Sequence, residues 1–145
     1  MPINVILVED DADIRMVIGQ HLRFRFEVSD FGDARQALEF MKKRDVEFDM
    51  AVIDLWMPGM DGLALIEEIR ADANFSELPV IIITGIVPDH KDLPDAFWTK
   101  NLGIAGFLHK PFHPQDLTNK IDEVIRQKRG LPPAEEETPP RGGFL

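Results

Sequence analysis

Residues Met50 to Gly62 read MAVIDLWMPGMDG. Ala51, Val52 and Ile53 form a short apolar run that stops on Asp54, and Leu55, Trp56 and Met57 then lead into the turn pair Pro58-Gly59. A buried strand ending in a carboxylate predicts an open α/β sheet, because such sheets place their chemistry beyond the carboxyl ends of the strands. Asp54 is therefore the candidate centre, and the flanking sequence shows what else reaches that edge.

Upstream, Ile3 to Val8 is a β-type apolar run followed at once by Glu9, Asp10 and Asp11. The period then changes. Ile14, Val17, Ile18 and Leu22 are spaced as one face of a helix, with Asp10 or Asp11 as its cap. A brief strand is expected over Phe26 to Ser29, and a helix over Asp33 to Arg44 with Ala34, Ala37, Leu38 and Met41 on one face. Downstream of the turn, Leu63, Leu65, Ile66 and Ile69 line a third helix. Val80 to Thr84, VIIIT, reads as a strand covered on both faces. Gly106 to His109 is a fifth strand, and Pro114 to Arg129 a last helix whose inward positions are Leu117, Ile121, Val124 and Ile125. Between these, Gly85 to Asn101 carries Pro88 and Pro94, which predicts a long loop and a short helix from about Asp95 to Asn101. The alternation of strand and helix implies a parallel five-stranded sheet with helices on both faces.

The chain has 145 residues, enough for one domain with one sizeable core. The expected division is a folded domain over 1–130 and a Pro-, Glu- and Gly-rich tail or linker, LPPAEEETPPRGGFL, over 131–145. The absence of cysteine rules out a disulfide framework or a thiolate metal site. No apolar run approaches the roughly 18 residues of a membrane span, and the N-terminus has no basic n-region, so a cytoplasmic location without membrane insertion is expected. A formal charge of −10 argues against nucleic-acid binding by this chain and is compatible with cation binding where the acids cluster. No phosphate-binding loop, dinucleotide fingerprint or nucleophile elbow is present.

The residues that follow each strand form a set: Glu9, Asp10 and Asp11 after the first, Asp54 at the end of the third, Thr84 at the end of the fourth and Lys110 after the fifth. Carboxylates crowded on one edge repel one another unless a cation joins them, and all-oxygen ligands suit a hard one such as Mg²⁺. Lys110 adds a compact positive charge and Thr84 a hydroxyl. A nucleophilic carboxylate, a hard metal, an ammonium and a hydroxyl are the parts needed to accept a phosphoryl group. His109 and His113 have a metal-like spacing, but they straddle Lys-Pro-Phe without further ligands and read as bystanders.

The four motifs ILVEDD, DLWMPGMDG, VIIITG and GFLHKPF, in this order, resemble the receiver domain of two-component response regulators over about residues 3 to 129. The resemblance implies a flavodoxin-like (βα)5 three-layer sandwich with strand order 2-1-3-4-5. It implies Asp54 as phosphoacceptor, charged by a histidine kinase or phosphotransfer protein. It implies Mg²⁺ held by Glu9, Asp10, Asp54 and the backbone carbonyl of Trp56. Lys110 then matches the phosphate-binding lysine, before a Pro111 whose peptide bond is commonly cis in such proteins. Thr84 and Phe107 match the switch positions. Phe107 departs from the frequent tyrosine and lacks its hydroxyl; read without the resemblance, it is a core residue. The resemblance further implies a phosphorylation-activated signalling switch rather than an enzyme in the ordinary sense. Its output would pass to a downstream protein through the face formed by the segment after Thr84, the fifth strand and the last helix, which is also the expected site of homodimerisation. The alternative is a binding module of the same fold that works without phosphorylation, motivated by the proline-broken segment Gly85 to Asn101.

Overall fold

The structure, a computed structural model, describes residues 2–55, 57, 59–85 and 102–132. Trp56, the short helix expected over Asp95 to Asn101 and the tail beyond Pro132 lie outside the described residues. In chain order the elements are β1 (Asn4–Val8), α1 (Ala12–Leu22), β2 (Glu27–Phe31), α2 (Ala34–Lys43), β3 (Met50–Asp54), α3 (Gly62–Ala71), β4 (Val80–Thr84), β5 (Ile104–His109) and α4 (Pro114–Lys128). The strands form one sheet in the order β2-β1-β3-β4-β5, and every pairing is parallel. This is the expected flavodoxin-like arrangement.

Strand alternation divides the core in two. Ile6, Val8, Ala51, Ile53, Val80 and Ile82 face α2 and α3, packing on Ala37, Leu38, Met41, Leu65, Ile66 and Ile69. Val5, Leu7, Met50, Val52, Ile81 and Ile83 face α1 and α4, packing on Ile18, Leu22, Leu117, Ile121 and Ile125. Both faces of the three central strands are thus covered, which is why their sequences read as continuous apolar runs. Each such fully buried aliphatic side chain contributes about 1.5–3 kcal/mol.

Side-chain caps set the helix starts. Asp11, rather than Asp10, caps α1, its carboxylate accepting from the amides of Asp13 and Ile14 at 3.0 and 3.1 Å. This leaves Asp10 to the strand ends. Asp33 and Asp61 cap α2 and α3 in the same way. At the end of α4, Gly130 takes φ +69°. Its amide donates to Gln127 O and that of Leu131 to Arg126 O, a Schellman termination.

Three local expectations shift. Val17 is exposed, and the inner face of α1 is Ile18, Gly19 and Leu22. Gly19 has no side chain to mark its face, and turning that face inward rotates Val17 outward. Strand β2 runs on to Phe31, in register with Val8. Strand β5 begins at Ile104 rather than Gly106, with a register irregularity against Val80 and Ile81. The peptide between Lys110 and Pro111 is cis, as the Lys-Pro motif implies.

Candidate functional site

Sheet register brings the site together. Val8 pairs with Ile53, so the next residues, Glu9 and Asp54, face each other across the β1–β3 crevice. This is where the strand order reverses, between β2 on one side and β3 on the other. Asp54 pairs with Ile83 on β4, and Thr84 pairs with His109 on β5. The Lys110 amide donates to Thr84 O at 2.9 Å, which continues that pairing by one residue and delivers the lysine to the same edge.

The side chains converge. Lys110 Nζ donates to Glu9 Oε1 and Oε2 at 3.0 and 2.9 Å and to Asp54 Oδ2 at 3.3 Å. Glu9, Asp10 and Asp54 each present a carboxylate oxygen within 4.8 Å of the others. Glu9 and Thr84 are fully buried and Asp54 is nearly so, while Asp10 is exposed. Among the described residues the buried polar or charged positions are Glu9, Asp54, Thr84 and Thr118. All but Thr118 belong to this edge, where packing alone would favour apolar side chains.

The charge balance is uneven. Two buried carboxylates share one ammonium, and Asp10 adds a third negative group at the rim. Burial, together with the charge of Asp54, pushes Glu9 up to about 7 although Lys110 pulls the other way. Burial by itself lowers Lys110, but its hydrogen bonds and charge contacts with Glu9 and Asp54 outweigh that and leave it raised. The pocket therefore carries surplus negative charge that a bound cation would offset. Its donors are all carboxylate oxygens, the chemistry of a hard divalent ion.

Phe107 is half-buried and packs against the core on the α2–α3 side; it pairs with Ile82, two residue pairs below Thr84 in the β4–β5 register. His109 is exposed at the end of β5. His113 precedes α4, where its amide donates to Asp116 Oδ2 at 3.2 Å. Neither histidine joins the acidic group.

Two residues that the sequence does not single out also belong here. Gly62 is packed so closely that a Cβ would meet Asp54 O and lie 2.8 Å from Leu55 Cα. A glycine at the first position of a helix, where any good helix former serves, is the signal for it. Arg15 donates from Nη1 to Glu9 O at 2.7 Å. A lone arginine on an amphipathic helix carries no comparable signal.

Residues 5–122 match the sequence profile of the response regulator receiver domain. The chain belongs to this family. Over 129 residues the receiver domain is 33% identical to the transcriptional regulatory protein FixJ of Bradyrhizobium diazoefficiens, covering 86% of this chain and 57% of FixJ. It is 32% identical over 126 residues to the chemotaxis protein CheY-3 of Vibrio cholerae, covering 86% of this chain and 92% of CheY-3. It spans only 20% of a third relative, ARR21 of Arabidopsis thaliana. Among solved structures, a CheY-like response regulator receiver domain protein of Methanospirillum hungatei superposes with a TM-score of 0.76 at 26% identity, over 90% of this chain and 98% of that one. The receiver domain is thus a signalling domain of two-component systems, and none of its described helices is long and apolar enough to cross a membrane.

Proposed function

We propose that this chain is a phosphorylation-driven switch whose acceptor is Asp54. The observation that carries the reading is the contact of one lysine with two buried carboxylates, Glu9 and Asp54, at the switch point of the sheet. An Asp54 oxygen attacks the phosphorus of a phosphohistidine on a kinase or phosphotransfer protein. A P–O bond forms as the P–N bond breaks, and the imidazole leaves with the electron pair and takes up a proton. Glu9, Asp10 and Asp54, with the carbonyl of Trp56, would hold Mg²⁺. The ion supplies charge neutralisation on the transferring oxygens. Lys110 exchanges part of its contact with Glu9 for the new phosphoryl oxygens, and the Thr84 hydroxyl donates to them.

The added charge and acceptor oxygens bias two packings of the adjoining surface. Phe107 couples Thr84 to that surface through the core on the α2–α3 side of β5. The reading face comprises β5, α4 and the segment between β4 and β5, and it serves a downstream protein or a second copy. The folded domain spans 1–130, with 131–145 as a tail or linker, and the protein works in the cytoplasm.

Intact-mass measurement after treatment with a small-molecule phosphodonor and Mg²⁺ tests this reading. One added phosphoryl group on the wild type and none on Asp54→Asn is the expected result. Equal labelling of the two proteins overturns it, and no labelling of either favours a binding module that works without phosphorylation. Size measurement before and after labelling reports any dimer.

A further inference from the structure

The peptide plane between Glu9 and Asp10 joins the two residues proposed to hold metal after β1. Its orientation decides where the Asp10 carboxylate lies relative to Glu9 and Asp54, since the six atoms of a peptide unit move together. Both backbone polar groups of Glu9 are held from outside the loop. The Glu9 amide donates to Phe31 O on β2 at 3.0 Å, and the Glu9 carbonyl accepts from Arg15 Nη1 at 2.7 Å. Arg15 is itself anchored, with Nε 3.4 Å from Asp30 Oδ2 on β2. Asp30 is fixed in turn by Arg23, whose Nη2 lies 2.8 Å from Oδ1.

The guanidinium reaches the carbonyl only through a gap at Gly32. A Cβ at that position would collide with Arg15 Nη1 and lie 3.1 Å from Cζ. Gly32 does not have positive φ, so an alanine there meets no backbone penalty. The atoms in its way are the far end of a flexible side chain. Alanine at 32 would therefore displace the arginine and leave the fold intact.

We infer that Arg15, admitted by Gly32 and anchored by Asp30, is a positioning residue for the metal acids: it fixes the Glu9–Asp10 peptide so that both carboxylates face Asp54. This rests on the proposed Mg²⁺-dependent phosphoacceptor site. Groups that orient metal ligands from outside contribute about 10- to 100-fold in metal affinity.

The test is Mg²⁺ titration by calorimetry on the full chain, for wild type, Arg15→Met, Arg15→Lys, Gly32→Ala and the Arg15→Met/Gly32→Ala double variant, with thermal midpoints measured in EDTA. Arg15→Met and Gly32→Ala each weaken Mg²⁺ binding by about tenfold. The double variant is no weaker than Arg15→Met, because the two changes remove one interaction. Arg15→Lys, which keeps a donor for the carbonyl, recovers part of the loss. Gly32→Ala lowers affinity while keeping the metal-free melting temperature of the wild type, which a purely structural role would not produce. Affinity within twofold of wild type in Arg15→Met and Gly32→Ala overturns the inference and leaves the phosphoacceptor reading standing. A wild type that binds no Mg²⁺ overturns both.

Discussion

Lys110 and Glu9 form a two-pronged pair, with Nζ 3.0 and 2.9 Å from the two carboxylate oxygens, and they are the most widely separated partners of the site in sequence. A lysine at this point has two competing roles. It neutralises Glu9 in the metal-free protein, and it occupies the oxygens that a cation would use. Removing it therefore moves metal binding and chemistry in opposite directions. In Lys110→Met, Mg²⁺ affinity rises about three- to tenfold, because a neighbouring positive charge is gone from a low-dielectric site. Phosphoryl acceptance at Asp54 falls by about a hundredfold, since a preorganised donor to the developing charge is lost. Calorimetry and phosphodonor labelling on one protein preparation check both. A parallel fall in the two quantities would show that the lysine acts only by supporting the fold.

The raised Glu9 makes stability depend on pH in a direction opposite to that of a salt-bridged surface carboxylate. Its value goes from 4.5 to about 7 on folding. Between those values the native state binds more protons than the unfolded state, so stability falls as pH rises. The contribution is fully present below the unfolded value and is lost once pH passes the folded one. Glu9→Gln keeps the neutral form at every pH. Without metal, the unfolding free energies of wild type and Glu9→Gln are expected to match near pH 4.5 and to separate in favour of the variant by pH 8, with Mg²⁺ closing the gap for wild type. Denaturant titrations at the two pH values measure this. A difference that does not change with pH would refute it.

Much of this architecture is legible in the sequence because the decisive strands are covered on both sides. VIIIT and MAVI read as buried runs since α1 and α4 pack on one face and α2 and α3 on the other. The site is legible for a related reason: Glu9 and Asp54 follow an apolar run directly and Lys110 follows the last residue of β5, so locating the strands locates the acids and the lysine. What stays hidden is carried by residues without a pattern. Strand β2, EVSDF, is an edge strand with no fully buried position, and its end is set by pairing with β1 rather than by hydrophobicity. The start of β5 lies beside Gly103 and Gly106, which mute its apolar signal. The α1 face turns on Gly19. Arg15 acts through a carbonyl and through a missing Cβ at Gly32, neither of which has a one-residue signature.

Gly62 ties the helix after the turn to the acceptor strand. A Cβ there meets the Asp54 carbonyl oxygen and lies 2.8 Å from Leu55 Cα and 3.1 Å from Asp54 C. These are backbone atoms and cannot swing aside as a side chain would. The Gly62 amide also donates to Leu55 O at 3.0 Å, so relief by moving α3 away sacrifices that bond. Gly62→Ala should destabilise the domain by about 1–3 kcal/mol, as overpacking does. It should also slow labelling of Asp54, because the carbonyl being displaced belongs to the acceptor itself. Chemical denaturation and phosphodonor kinetics are the readouts, and wild-type behaviour in both would contradict the close packing.

Arg70 provides the last test, at the point where the chain re-enters the sheet. From α3 its Nε donates to Leu102 O at 2.6 Å, Nη1 to Phe75 O at 3.0 Å and Nη2 to Gly103 O at 3.1 Å. Three carbonyls from two loops thus converge on one guanidinium, and a Cβ added to Gly103, which takes φ +63°, would lie 3.4 Å from Arg70 Nη2. Hydrogen bonds to a charged group contribute about 1.5–3 kcal/mol each when buried, less where water competes, and bonds sharing one donor group do not add. Arg70→Met, which keeps the apolar stem and removes the donors, should cost about 2 kcal/mol and lower the melting temperature by several degrees. The loss should be local. Amide exchange should accelerate at Ile104 and its β4 partner Val80, while β1 and β3 keep their protection. Uniform acceleration across the sheet would mean that Arg70 supports the fold as a whole rather than anchoring β5, the strand that carries Phe107 and leads into Lys110.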